Sequence, residues 1–278
     1  MTLRARERFL YGAMAALLVL VSLTTLASRP LFNPDEGRYA EIPREMLLSG
    51  DWVIPHLNGL AYIEKPPLQY WATALSFSLF GETEFAARLY MALTAFGTVA
   101  VVFFLGGRLF GQECGWRAAA VLCGMFMFLI LGQLLTLDMS LTFYMTLSVA
   151  GFLMAQADSP RRWMLIAWIA AALGVLTKGL EAVAIPGAVL VIYSLLSRDF
   201  KPWRRLGLWW GLPLFFCITL PWHWLAALRI DDFLQFFFVH EHFARYLTPI
   251  AERREPWWFY RGDAAAARGI PKAELDLH

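Results

Sequence analysis

The sequence predicts an all-α protein that crosses a membrane about seven times, and three observations predict it. Of its 278 residues, 59% are hydrophobic and only 17% are charged, where a soluble domain carries about a quarter charged. Apolar runs long enough to span recur along almost the whole chain, and the mean hydropathy is +0.52. The basic residues gather in alternate connections, the pattern that orients helices in a bilayer.

Taken in order, Arg4, Arg6 and Arg8 precede an apolar stretch over 9–27. A signal peptide has a shorter apolar region ending at a small-residue cleavage site, so this stretch is read as a retained first span. Further spans are expected over 86–107, 117–134, 139–157, 163–177, 180–197 and 206–226. One set of connections is basic: Arg108 to Arg117, Arg161-Arg162, and Arg198, Lys201, Arg204 and Arg205. The other set is 28–85, the turn at Asp138, the turn at Lys178-Gly179, and 227–260. With the N-terminus in the cytoplasm, seven spans put every basic connection inside. The apolar run 67–80 is too short to span, and counting it would reverse everything after it. It is therefore read as a half-buried interfacial helix in the first outer loop. Trp71, Trp209, Trp210, Trp222 and Trp224 fall near the expected boundaries, where aromatic belts form.

A net charge of +2 carries no footprint for nucleic acid. Cys114, Cys123 and Cys217 cannot form a paired framework and are read as inert packing residues. From Arg261 the tail is hydrophilic, although the preceding REPWWFY looks like the start of another membrane helix. A solvated tail and a truncated or frame-shifted chain are both expected readings of it.

The residues with chemistry to offer lie on the outer connections. Pro34 followed by Asp35 and Glu36 suits the start of a helix, with the acids at its positive end. Capping alone would explain such a pair. Here Arg38 follows, and a second charged pair, Glu64-Lys65, stands before Pro66-Pro67, which suggests a site for a charged headgroup. Asp138 is a lone acid between apolar runs, read equally as a helix cap or as a functional carboxylate. Lys178 falls on the same face, where snorkelling explains it as well. His240 and His242 flank Glu241, but their spacing is not that of a helical zinc pair. Arg245, Arg253 and Arg254 suit either a phosphate or a membrane anchor.

Together these residues resemble the multi-spanning, lipid-dependent glycosyltransferases of the C-type fold. The resemblance is to the protein mannosyltransferase family and, within it, the bacterial aminoarabinose transferases that modify lipid A. NPDEGRYAEIPREMLLSGDW at 33–52 and YIEKPPLQYW at 62–71 carry it, with LTLDMSLTF around Asp138 and EHFARYL at 241–247 in support. The similarity makes residues 1–260 a transmembrane transferase domain and leaves 261–278 outside it. It implies transfer of a sugar from a polyprenyl-phosphate carrier to lipid A or another acceptor, at the periplasmic face of a bacterial inner membrane. It implies catalytic roles for Asp35 and Asp138, phosphate contacts for Arg38, Lys65 and Arg245, and a divalent metal on Glu64 and His240. Family members are roughly twice as long, so part of the lipid cavity wall is expected to be missing.

Three other readings compete. A transporter or flippase would place ionisable groups in the middle of spans, which are nearly free of charge here. A non-catalytic scaffold would be indifferent to Asp35. Within the enzyme class, the alternative is mannosyl or hexosyl transfer to protein or glycan hydroxyls.

Overall fold

The computed structural model describes Gly12, residues 24–157 and residues 159–244, apart from the side chains of residues 240 and 242–244. Two units divide the chain, Met1–Phe233 and Leu234–His278. In the second, a π-helix runs over Gln235–Ala244.

The first unit is built from helices and one small hairpin. Helix α1, Asp35–Ser49, starts after Pro34 and ends at Gly50, whose positive φ of 70° lets its N–H reach the Met46 carbonyl. Ile42 and Met46, four apart, are both buried on one face of it. The hairpin pairs β1, His56–Leu57, with β2, Leu60–Ala61. Its turn, Asn58-Gly59, has positive φ at both positions, as two-residue hairpin turns require. The Glu45 carboxylate accepts both turn amides, from Asn58 at 2.5 Å and Gly59 at 3.1 Å, which pins the hairpin to α1. Helix α2, Leu68–Phe80, is the short apolar helix expected over 67–80.

Thr83 then caps helix α3, Glu84–Phe110, its hydroxyl accepting the Ala86 amide at 3.2 Å. At 27 residues and 1.5 Å each, α3 is about 40 Å long, more than a bilayer core needs. The span expected over 117–134 is interrupted. It forms α4, Gln112–Gly124, and α5, Phe126–Leu131, separated by Met125 in an extended conformation. Gly124, a poor helix former, sits at the break. Next come α6, Leu137–Ala157, and α7, Pro160–Lys178. The unit continues with α8, Glu181–Ser197, the short α9, Lys201–Arg204, and α10, Leu208–Arg229. Among the described residues, α3, α6 and α10 are long and apolar enough to cross a membrane, and α8 is a shorter apolar helix. The first expected span, 9–27, lies mostly outside the described residues.

Small side chains let these helices approach closely. The most extensive pairing is α6 with α7. There Gly151 faces backbone: a Cβ at this position would lie 2.8 Å from the Trp163 carbonyl oxygen and 3.0 Å from the Ala167 nitrogen. Gly151→Val is therefore expected to force the pair apart and cost about 1–3 kcal/mol. Thermal unfolding in detergent checks this; an unchanged midpoint would contradict so close a crossing.

The core beneath the start of α1 draws on four helices. Ala40 of α1, Phe77 of α2, Ala86, Ala87, Met91 and Ala95 of α3, and Met139 of α6 pack with Leu135. The end of α10 is tied to the first loop. Trp222 Nε1 donates to the Val53 carbonyl at 2.7 Å, and Arg229 pairs with Asp51 at 2.9 Å.

Candidate functional site

Two clusters meet at the start of α1. The first is a buried hub. Glu36, one residue after Asp35, is 1% exposed, and Arg88 in α3 is fully buried. Arg88 forks onto the Glu36 carboxylate, with Nε to Oε1 at 2.8 Å and Nη2 to Oε2 at 2.9 Å. Its remaining donors reach the carbonyls of Leu26, Arg29 and Pro30. Glu36 also accepts the amides of Phe32 at 2.8 Å and Leu135 at 2.9 Å, and pairs with Arg29 at 2.9 Å. Arg29 in turn donates to the Gln133 carbonyl at 2.6 Å. Four segments are thus joined by one carboxylate: the chain before α1, α1 itself, α3, and the turn that leads into α6.

Burial alone would push the Glu36 carboxyl up. Arg88, the amides of Leu135 and Phe32, and Arg29 outweigh it and hold the group down at about 2. A buried ion pair survives only when its remaining donors and acceptors are satisfied, and here both partners are heavily hydrogen-bonded. The consequence for the site is positional: Asp35 is fixed relative to Leu135, three residues before Asp138.

The second cluster carries the exposed charges. Asp35 is solvent-exposed in the first turn of α1, while Arg38 and Tyr39 are half-buried one turn on. Asp138 stands in the first turn of α6 and pairs with Lys178, at the end of α7, at 2.7 Å. Lys178 lies 3.6 Å from Glu181 as well. Burial pushes the Tyr39 phenol up, and its charge environment consists of Arg38, Asp35, Asp138 and Lys178. Both acids and both cations are therefore within electrostatic reach of one ring.

Arg38 interacts electrostatically with Tyr62, and the Tyr62 hydroxyl donates to Glu64 Oε2 at 3.3 Å. Burial pushes the Tyr62 phenol up too. Lys65 is half-buried, next to Glu64, in the turn before α2. A second link runs beneath. Ser140, two residues after Asp138, donates to Gln69 of α2 at 2.9 Å, and both side chains are fully buried.

The fold thus pairs Asp138 with Lys178, and these two act with Asp35 and Arg38 on the Tyr39 phenol, while Tyr62 engages Glu64. Lys178 is an ion-pair partner of Asp138 rather than only a snorkelling lysine. Arg245 lies outside the described residues, as does the side chain of His240, so the expected metal pair with Glu64 is seen at one residue only. Among the described residues, no group of three His, Cys, Asp or Glu side chains that could hold a metal occurs. Glu64 accepts a hydrogen bond from the Tyr62 hydroxyl.

Two residues that shape the site escaped the sequence reading. Glu36, paired in the sequence reading with Asp35 as acids at a helix start, is buried. Arg88 sits near the start of an apolar span read as nearly free of charge. A lone arginine inside such a run is itself the signal, because it persists there only if paired.

With this geometry in place, comparison with known proteins is informative. Residues 9–237 match the family described as dolichyl-phosphate-mannose-protein mannosyltransferase, and the chain belongs to that family. It is a multi-pass membrane protein. An undecaprenyl phosphate-alpha-4-amino-4-deoxy-L-arabinose arabinosyl transferase of Shewanella sediminis is 34% identical, over 87% of this chain and 45% of its own length. A protein of the same name from Pseudomonas aeruginosa is 37% identical over the same shares. The crystal structure of ArnT from Cupriavidus metallidurans bound to undecaprenyl phosphate is 41% identical with a TM-score of 0.82. That match covers 87% of this chain and 45% of that one. The chain spans about half the length of the curated relatives it matches.

Proposed function

We propose that the outer cluster is the donor-side half of a glycosyltransferase site, which moves aminoarabinose from an undecaprenyl-phosphate carrier to lipid A. The observation that carries the reading is the Asp138–Lys178 pair at 2.7 Å, which acts with Asp35 and Arg38 on the Tyr39 phenol. It occurs in a chain 41% identical to a structure bound to undecaprenyl phosphate.

The chemistry follows from the bond that breaks. An acceptor oxygen attacks the anomeric carbon, the glycosidic C–O bond opens, and undecaprenyl phosphate leaves with the bonding pair. Negative charge grows on the leaving phosphate, and fixed cations there lower the barrier. Arg38 and Lys65 are the residues assigned to that task. Arg38 is held ready by Tyr62, which in turn leans on Glu64.

A lipid A phosphate is already largely ionised at neutral pH, so with this acceptor no base is needed. Asp35 then orients the reacting groups, and Asp138, set by Lys178, holds the sugar from the other side. With a hydroxyl acceptor, Asp35 would have to remove a proton. No step in this reading runs through a metal. The site faces the periplasm and the membrane is the inner one, in keeping with the basic connections falling on the opposite side.

The test is transfer of radiolabelled aminoarabinose from the undecaprenyl-phosphate carrier to lipid A in membranes containing the chain. Lys65→Ala is expected to lower the rate about 100-fold or more through the lost charge on the leaving group. An undiminished rate would remove Lys65 from the site.

A further inference from the structure

Tyr70 is a large polar side chain near the site that the reading above does not use. It lies in the first turn of α2, fully buried. Its ring stacks on Tyr39 at 6.2 Å between centroids and meets Tyr62 edge-on at 6.4 Å. These are the two tyrosines that line the charged cluster. Yet the Tyr70 hydroxyl has no hydrogen-bond partner among the described residues. A buried phenol left so is costly, and native proteins rarely keep one without a use. Burial pushes this phenol well up, and after Tyr62 and Tyr39 it feels Glu64 and Arg38. The hydroxyl is therefore a neutral donor, buried with Ile42 and Met46 and bounded by Tyr39 and Tyr62.

We propose that Tyr70 is a further binding residue of this site, whose hydroxyl takes its partner when the phosphate of a polyprenyl phosphate settles beside Arg38 and Lys65. A phosphate oxygen is the acceptor that a buried O–H donor lacks, and a hydrogen bond to an anion is stronger than one to a neutral group. The proposal rests on the carrier-binding reading of the cluster. It adds an uncharged residue of the YIEKPPLQYW run to which no role is otherwise assigned. Keeping the hydroxyl unpaired trades stability for binding, a trade seen where function needs it.

The experiment uses the full chain, purified in detergent, with undecaprenyl phosphate as probe and undecaprenol as the control without a phosphate. Wild type and Tyr70→Phe are compared in thermal midpoint without added lipid and in affinity for each probe. Tyr70→Phe is expected to raise the midpoint, because an unsatisfied hydroxyl is removed. It is also expected to weaken undecaprenyl phosphate binding about tenfold and to leave undecaprenol binding unchanged.

A purely structural tyrosine would move the midpoint and neither affinity, and that result overturns the proposal. A lowered midpoint overturns it too, since the hydroxyl would then have a structural partner. If wild type binds undecaprenyl phosphate and Tyr70→Phe binds it equally well, this inference alone fails. If wild type shows no preference for undecaprenyl phosphate over undecaprenol, the carrier-binding reading fails and takes this inference with it.

Discussion

Arg88→Met is expected to destabilise the protein by about 3–5 kcal/mol, the usual cost of stripping one partner from a buried ion pair. The cause is specific. Glu36 is 1% exposed, so without Arg88 its carboxylate loses two short bonds and keeps a charge that water cannot reach. The carbonyls of Leu26, Arg29 and Pro30 lose their donor at the same time. Adding Glu36→Gln to Arg88→Met is expected to recover part of the loss, because a neutral amide removes a buried charge that only the half-buried Arg29 would still pair. Thermal unfolding in detergent with limited proteolysis reads both. A midpoint within a degree or two of wild type for Arg88→Met would contradict the hub.

The same hub sets an acid limit. The Glu36 carboxyl is held at about 2, below its ordinary value of 4.5. A depressed carboxyl contributes stability that is complete above its unfolded value and is lost as pH falls through the folded one. This contribution should be flat from pH 7 to 5 and fade between about 4.5 and 2. A loosening that titrates near pH 6 would have to come from another group.

Asp35→Asn is expected to lower sugar transfer by about 100-fold or more, within the range that a lost base or misplaced acid produces. Folding should be unaffected, since Asp35 is exposed and Glu36 carries the structural contacts. The pair thus separates by role: Asp35→Asn should fold and fail to transfer, and Glu36→Gln should fold poorly. A pH profile adds a discriminating reading. If the acceptor is a phosphate, Asp35→Asn should depress the rate at every pH. If it is a hydroxyl, the wild-type rate should fall on the acid side and the mutant should show no such limb.

Much of the architecture was legible because apolar length and caps are local properties. The helix after Pro34, the short helix over 68–80 and the long spans at 84–110, 137–157 and 208–229 all follow from nearby residues. The break at Met125 was not legible, since hydropathy is continuous across it and only Gly124 hints at a weak point. At the site, the sequence marked Asp35, Arg38, Glu64 and Asp138 as chemically unusual, but local pattern cannot say which charges meet. Lys178 reaches Asp138 across 40 residues, and Arg88 reaches Glu36 across 52. No local pattern names Lys178 as the partner of Asp138. Tyr70 lies within YIEKPPLQYW, but nothing in that run marks its hydroxyl, because an unsatisfied hydroxyl is a property of packing.

The central claim is that the cluster around Tyr39 transfers a sugar from a lipid phosphate. The direct measurement is label transfer from the aminoarabinose–undecaprenyl-phosphate carrier to lipid A, in membranes holding either this chain or Asp35→Asn. The chain would be used as it stands and joined to the C-terminal half of a relative. The account predicts labelled lipid A with the native aspartate and a loss of at least about 100-fold without it, in one or both forms. Equal labelling with Asp35→Asn, or none in either form, would contradict it.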